Sequence, residues 1–547
     1  MPTVTINDRA VEVEVGTNLI DAALKVGVQI PHYCYHPRLS VVGQCRMCLV
    51  HIAGMPKLQA GCSTQVMKDG MVVRTDTPEV HEAQRAMMEF LLINHPLDCP
   101  ICDQAGECGL QDYAFKHGVA TSRFHYEEKR TYPQKERIPL GPTVLLNMNR
   151  CIQCTRCIRF THEVAKTAEL GFFQRGARTE IGTFPGKPLD NELSTCVVDI
   201  CPVGALTSTE FRFAERVWYL DKKPSICTGC DVGCNITLEH RRGQVRRLKP
   251  RFNPDVNDYW MCDYGRGSHQ RLTALPRLQI PQIARKGGAL PAATWREALD
   301  LVARRLEHGN ASGAVAFLGS GRLSTEDAFL LATLADQVAS PHRSVAGREG
   351  PERRIPNTHG GLAGRDTAPN RRGAELAGLV PGPSGIDARA LLAADRAADC
   401  SVLFVADSDF GPEASEPATV ERLRKAGFLV VMGWAETPLS KVADVVLPVA
   451  TPAERAGSFV NVAGRLQTFA QAFPAPAQVK TPVEVLTEIL ARFDAAWAGL
   501  TEAQVFDRLA ARVPAFSGVR FEAVPATGRP VGAEPALAAT VAGGGEP

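Results

Sequence analysis

The 547-residue sequence holds seventeen cysteines, and sixteen of them precede Asp263. Fifteen fall into four tight groups: Cys34-x10-Cys45-x2-Cys48-x13-Cys62; Cys99-x2-Cys102-x5-Cys108; Cys151-x2-Cys154-x2-Cys157 with the remote Cys201; and Cys227-x2-Cys230-x3-Cys234-x27-Cys262. The chain opens without a basic n-region or an apolar h-region, so such spacing favours metal over disulfides. Four thiolates with three on one long loop suit a [2Fe–2S] rhomb in the first group, although x10 is longer than the plant-type x4. Gly43 and Gly61 flank ligands where the backbone must bend closely around sulfide. A four-cysteine zinc site would present two separated CxxC knuckles, and here there is one.

The second group has three thiolates for a cubane's four iron corners. His95 is the one nearby histidine on the same loop, and imidazole is a known substitute for thiolate on iron, one that raises the potential. A histidine beside Pro96, taken alone, reads more readily as a helix cap; the missing fourth cysteine reverses that. In the third group three sulfurs on one turn match three corners of a [4Fe–4S] cube, and Cys201-Pro202 supplies the remote fourth ligand. The fourth group repeats three close sulfurs and one distant one. Cys196 and Cys400 are left over and read as buried thiols.

The elements that must position these groups are legible in outline. Thr3–Ile6 and Val11–Val15 alternate about Asn7-Asp8 as a hairpin, followed by a helix over 19–25, as in a small β-grasp domain. Val80 to Asn94 reads as a helix ended by His95-Pro96. Asn235–Leu238 and Gln244–Leu248 form a second hairpin turned at Arg242-Gly243, and the basic run 241–251 reads as its solvated face. From about residue 290 the pattern becomes α/β. Thr294-Trp295-Arg296-Glu297 is a capping box before a helix, and strand-like runs follow at 314–318, 401–406 and 428–432, as in a parallel sheet covered by helices. Residues 340–390 read as long surface connections, and the Ala/Gly/Pro-rich tail from 525 as disordered. The Gly319-Ser320-Gly321 loop lacks a third glycine at dinucleotide-fingerprint spacing.

A net charge of +2, 22% charged residues and 45% hydrophobic residues give no push toward nucleic acid and allow a sizeable core. No apolar run approaches the ~18–20 residues that span a bilayer. The expected architecture is multidomain α+β and α/β: 1–78 a β-grasp [2Fe–2S] domain, 79–118 and 139–215 small [4Fe–4S] domains, 216–272 a further [4Fe–4S] domain, 273–524 an α/β domain and 525–547 a flexible tail.

Several stretches resemble the large iron–sulfur subunits of NADH–quinone oxidoreductase, respiratory complex I. They are Pro31-His32-Tyr33-Cys34-Tyr35-His36-Pro37, Gly43-Gln44-Cys45-Arg46-Met47-Cys48, Asp98-Cys99-Pro100-Ile101-Cys102-Asp103-Gln104-Ala105-Gly106-Glu107-Cys108, Asn149-Arg150-Cys151 and Cys201-Pro202-Val203-Gly204-Ala205-Leu206. The resemblance is dense over roughly 1–270. It resumes at Ala443–Pro448, Gly457–Asn461 and Gly464-Arg465, where the chain is similar to the molybdopterin oxidoreductase superfamily. It implies one [2Fe–2S] and three [4Fe–4S] clusters, the first three forming part of a wire from flavin toward quinone and the fourth lying off the main path. It also implies partner subunits that hold the FMN, NADH and quinone sites, a place on the cytoplasmic face of a bacterial inner membrane, and membrane contact only through partners.

The superfamily commonly has Lys two residues after the last cluster cysteine, where this chain has Tyr264. The 273–547 region is therefore expected to bind no molybdenum. Two related readings stay open, an NAD-linked formate dehydrogenase catalytic chain and a hydrogenase diaphorase-type subunit. A cysteine-rich zinc scaffold would instead be colourless and contain zinc.

Overall fold

A computed structural model describes residues 1–285, 290–309, 313–347, 349–407 and 416–532. The chain divides into two compact units, Met1–Leu220 and Asp221–Pro547.

The first unit opens on a five-stranded sheet in the order Arg9–Glu12, Thr3–Ile6, Met71–Arg74, Leu49–Ile52, Gln59–Ala60. Asn7 and Asp8 take positive φ values of 45° and 67°, the left-handed pair of a tight hairpin turn. That two-residue turn pairs Ile6 with Arg9, so pairing is exhausted where Thr3 meets Glu12. The second strand is therefore Arg9–Glu12, and not Val11–Val15 as the alternation suggested. Helix Leu19–Lys25 begins at Asn18, whose side chain accepts from the Asp21 amide at 3.0 Å. Leu19, Ile20, Val4, Val50 and Val73 close this core.

Helix Pro78–Leu92 starts at a Thr77 cap with proline in its first turn, and buries Val80, Gln84 and Met88, one residue per turn. Helix Gly109–His117 packs against it. A three-stranded sheet of Leu206–Ser208, Val144–Leu146 and Ile138–Pro139 and helix Arg156–Glu163 frame the third cysteine group. Val217 and Leu220 pack with Phe211, so residues 216–220 join this unit.

The second unit begins with a three-stranded sheet, Asp221–Ile226, Asn235–Arg241 and Gln244–Pro250, turned at Arg242 and Gly243 with φ of 50° and 74°. The basic run on it is not simply a solvated face. Val245 and Leu248 are buried, and Arg247 reaches Glu239 at 2.7 Å with side chains 13% and 2% exposed.

The same unit holds a six-stranded sheet in the order Gln282–Ile283, Val445–Pro448, Leu429–Gly433, Cys400–Ala406, Ala314–Ser320, His342–Ala346, parallel except at the first strand. Strand alternation splits it between two cores. Val315, Phe317, Phe404 and Met432 face one set of helices, including Thr325–Gln337 and Pro482–Leu490. Ala316, Leu318, Leu403 and Val431 face the other, with Leu391 and Leu423 from helices Ala388–Ala393 and Pro417–Leu423. The helix after the Thr294 capping box runs Trp295–Gly309, and the Glu297 carboxylate accepts from both the Thr294 amide (2.9 Å) and hydroxyl (2.7 Å).

Residues 340–390 differ from expectation. They supply the edge strand His342–Ala346, the hairpin Glu349–Ile355/Leu362–Asp366 and two short helices. An edge strand needs apolar residues on only part of its length, and here Val345 and Ala346 alone carry that signal. The tail reading is likewise only partly right: Arg529 and Pro530 pair with Leu466 and Arg465, and Val531 is buried. Residues 533–547 lie outside the described residues.

Candidate metal centres

In the first group Cys34, Cys48 and Cys62 are buried and Cys45 half-buried. Arg46 (φ 55°) and Gly43 (φ 58°) bend the loop around Cys45, whose sulfur accepts the Tyr33 and Cys34 amides at 3.4 and 3.5 Å. Gly61 is needed for close approach, since a Cβ there would stand 3.1 Å from the Cys48 carbonyl. The four thiols lie in two hydrogen-bonded pairs. The bond from Cys45 holds Cys34 down to about 5, and that bond together with burial pushes Cys45 up. Cys62 and Cys48 repeat the pattern.

In the third group Cys154 and Cys157 are buried and Cys151 and Cys201 half-buried. Gln153 and Thr155 take φ of 54° and 66°, which turns the Cys151–Cys157 segment so that three thiols face one cavity. Cys201 lines the same cavity, along with Leu146, Ile181, Val203 and Leu206. Burial pushes Cys151, Cys154 and Cys157 upward and takes Cys201 to about 12. Four thiols that stay protonated when bare, gathered in an apolar cavity, fit a cationic iron core that would hold them as thiolates.

In the second group Cys102 is buried, Cys108 half-buried and Cys99 exposed. Burial pushes Cys102 and Cys108 upward, with the neighbouring cysteines of the group adding to it. His95 is held down to about 4 by burial, then by the charges of Arg150 and Lys129. It is therefore neutral at pH 7, the form that ligates metal. The His95 ring lines a cavity with Asn94, Tyr132, Asn149 and Cys151. Among the described residues no group of three or more His, Cys, Asp or Glu is gathered for a single ion.

Direct bonds tie the three groups of this unit together. Pro202, next to Cys201, accepts the Gly109 amide at 3.1 Å, beside Cys108. Gly204 leaves no room for a side chain, because a Cβ would fall 2.3 Å from the Cys102 sulfur. On the other side Arg159, 7% exposed, donates to the Cys34 carbonyl at 2.5 Å, and Arg156 donates to the Tyr35 carbonyl. Tyr33 spans groups one and two, its amide on Cys45 and its hydroxyl 3.4 Å from the Gly109 carbonyl. The sequence reading missed these arginines, together with Arg216, which donates to the Cys102 carbonyl at 2.7 Å. Arg156 and Arg159 stand within about a turn of Cys154 and Cys157, but nothing in the sequence says which carbonyls they reach, and Arg216 is 114 residues from Cys102.

In the second unit Cys227, Cys230, Cys234 and Cys262 are all buried. Gly265 gives its amide to the Cys262 sulfur at 3.3 Å, and a Cβ there would meet the Cys227 sulfur at 2.9 Å. Burial raises Cys227 to about 12 and pushes Cys230 and Cys234 upward. Tyr264 lies under the Arg353 guanidinium, 3.8 Å from the ring centre. Cys196 sits in the core, and Cys400 starts its strand with its thiol 3.7 Å from the Arg396 carbonyl, pushed up to about 11 by burial. Both are structural thiols in their surroundings.

Five family models match the chain. They are a 2Fe-2S iron-sulfur cluster binding domain over 1–78, the NADH-ubiquinone oxidoreductase-G iron-sulfur binding region over 84–123, and the NADH-quinone oxidoreductase subunit 3 ferredoxin-like domain over 141–207. An NADH-ubiquinone oxidoreductase NDSU1/NuoG-like 4Fe-4S domain matches 220–270, and molybdopterin oxidoreductase matches 277–352 and 357–492. The chain thus carries both 2Fe–2S and 4Fe–4S binding domains. An NADH-quinone oxidoreductase subunit of Rickettsia felis is 44% identical over 345 residues, 63% of this chain and 50% of that protein. The mitochondrial NADH-ubiquinone oxidoreductase 78 kDa subunit of Neurospora crassa is 43% identical over 343 residues, 62% of this chain and 45% of that one. The chain spans about half the length of the curated relatives it matches. A solved NAD+-reducing [NiFe]-hydrogenase is similar at 30% identity over 40% of this chain and 91% of that chain, with a TM-score of 0.35.

Proposed function

We propose that this homologue of NADH-quinone oxidoreductase subunits is an iron–sulfur electron-transfer subunit of such an oxidoreductase. It would take electrons from NADH by way of FMN on a partner flavoprotein and pass them toward quinone on further partners. The ligands would be Cys34, Cys45, Cys48 and Cys62 for a [2Fe–2S] cluster. His95, Cys99, Cys102 and Cys108; Cys151, Cys154, Cys157 and Cys201; and Cys227, Cys230, Cys234 and Cys262 would hold three [4Fe–4S] clusters. When bound, such clusters supply one-electron carriers.

The chain's own residues do the rest. Burial keeps water from the thiols, amide donors to Cys45, Cys151 and Cys262 set the electron density on sulfur, and the arginines of helix Arg156–Glu163 fix one group against the next. The observation that carries the reading is that one short segment, Cys201–Gly204, touches both the second and the third group. Such sharing is what closely spaced electron carriers require. The site lies on the cytoplasmic face of a bacterial inner membrane in this reading, reached through partners; no helix of the described residues is long and apolar enough to cross a membrane.

Anaerobic reconstitution of the full chain should bring iron to about 14 per chain, with one two-iron and three four-iron signals by low-temperature paramagnetic resonance. NADH should reduce those signals only when the flavoprotein partner is added. A reconstituted chain holding two clusters would sink the reading.

A further inference from the structure

Helix Arg156–Glu163 begins inside the third cysteine group, and its Arg156 and Arg159, three residues apart, share one face. That face meets the loop that carries Cys34. Arg159 donates to the carbonyls of Cys34 (2.5 Å), Cys154 (3.3 Å) and Ser40, and to Thr155 Oγ1 (3.1 Å). Arg156 donates to the carbonyls of Tyr35 and Ile200, the residues beside Cys34 and Cys201. Each guanidinium therefore touches both the first group and the third.

Every one of these acceptors is neutral. Arg159 is 7% exposed; Arg156 is half-buried, and its buried Nε has no hydrogen-bond partner. Glu163, the carboxylate of the same helix, accepts instead from the Ser40 amide and hydroxyl at 2.8 and 2.5 Å. Burial pushes Arg156 down, and the groups whose charge acts against that are the thiols of Cys154, Cys201 and Cys34. The anions that face this pair of cations are thus the cysteines themselves.

Cations held out of water on neutral acceptors are costly unless an anion stands close by. A cluster held by four thiolates carries net negative charge, and reduction adds one more. A nearby fixed cation therefore favours the reduced state, and more strongly where water is excluded. We propose that Arg156 and Arg159 are the shared counter-charges of the first and third clusters, positioning residues whose charge raises the reduction potential of both. The inference rests on the ligand sets proposed above and goes beyond them in assigning a potential-setting role to two residues that bind no iron. Since each arginine spans both groups, loss of one charge should move two clusters together. The fourth cluster, whose ligands lie in the other unit, serves as the internal reference.

The test is a redox titration of the full, anaerobically reconstituted chain, followed cluster by cluster by low-temperature paramagnetic resonance. In Arg156→Gln the reduced-to-oxidised ratio of the first and third clusters at a fixed potential should fall about tenfold, which is 59 mV for a one-electron couple, with the fourth cluster unmoved. Arg156→Lys keeps the charge but not the planar fork, and should hold both potentials near those of the parent. Arg159→Gln and Arg159→Lys should repeat the contrast. If a Gln variant fails to hold a cluster, iron retention becomes the readout: retention in the Lys variant alone supports the proposal, and loss in both overturns it. Intact clusters with unchanged potentials in both Gln variants, or equal falls in the Gln and Lys variants, would show that the arginines act through shape and not charge. A parent chain that forms no first or third cluster would instead remove the ligand reading, and this inference with it.

Discussion

At the scale of single residues the four cysteine groups stand out by spacing alone, and His95 enters the proposed ligand set because a cubane short of one thiolate calls for another donor. His95→Ala should cost the second cluster, about 4 of roughly 14 irons, and leave the others. His95→Cys should restore it at a lower potential, since thiolate adds negative charge that imidazole lacks. Unchanged spectra in His95→Ala would remove the histidine from the ligand set. The surrounding arginines were not legible, because Arg159 reaches across to Cys34 and Ser40, contacts that exist only after folding.

The thiols also give a pH dependence. Cys201 and Cys227 rise from 9.0 to about 12 in the folded, cluster-free chain because burial disfavours the thiolate. A raised folded value contributes stability that is fully present below the unfolded value and is lost as pH rises through the folded one. The melting temperature of the iron-free chain should therefore fall between about pH 9 and pH 12. The loaded chain should not follow it, since its ligands are already thiolates. Equal slopes for the two forms over that window would contradict this account.

At the scale of elements, regular patterns were readable and compromises were not. The hairpin at Arg242-Gly243 and the Thr294 capping box were written in local residue types. The edge strand His342–Ala346 and the hairpin Glu349–Ile355/Leu362–Asp366 were hidden under Gly, Pro and Arg, because an edge strand pairs through backbone and buries little. The loop Cys201–Leu206 was read as a ligand with its proline, whereas its packing role needed coordinates. Gly204→Ala would put a methyl 2.3 Å from the Cys102 sulfur and must displace either the loop or the thiol. Overpacking of this kind costs about 1–3 kcal/mol, and the expected result is loss of the second cluster's signal with the first retained. A variant that melts and reduces like the parent would show that the loop yields freely.

At the scale of the molecule, the cysteine-bearing half announced its chemistry and the α/β half announced only its class. Alternating apolar runs identify a parallel sheet, yet strand order emerges from long-range pairing that no local pattern carries. That order decides what the second unit can do. A cavity lined by Arg322, Asp407 and Trp434 lies at the carboxyl ends of the strands, whereas Cys400 begins its strand at the opposite end, with Ala406 its last residue. Seven residues of strand extend roughly 20 Å, so this thiol is out of reach of anything bound in the cavity. Tyr264, at the position where a lysine commonly links cluster to pterin, is covered by Arg353 and offers no cation of its own. The region matched by the molybdopterin oxidoreductase family should therefore carry no molybdenum or tungsten in the native complex. Elemental analysis alongside iron provides the check: stoichiometric molybdenum or tungsten would transfer the chain to the formate-dehydrogenase reading and give its second unit a catalytic role.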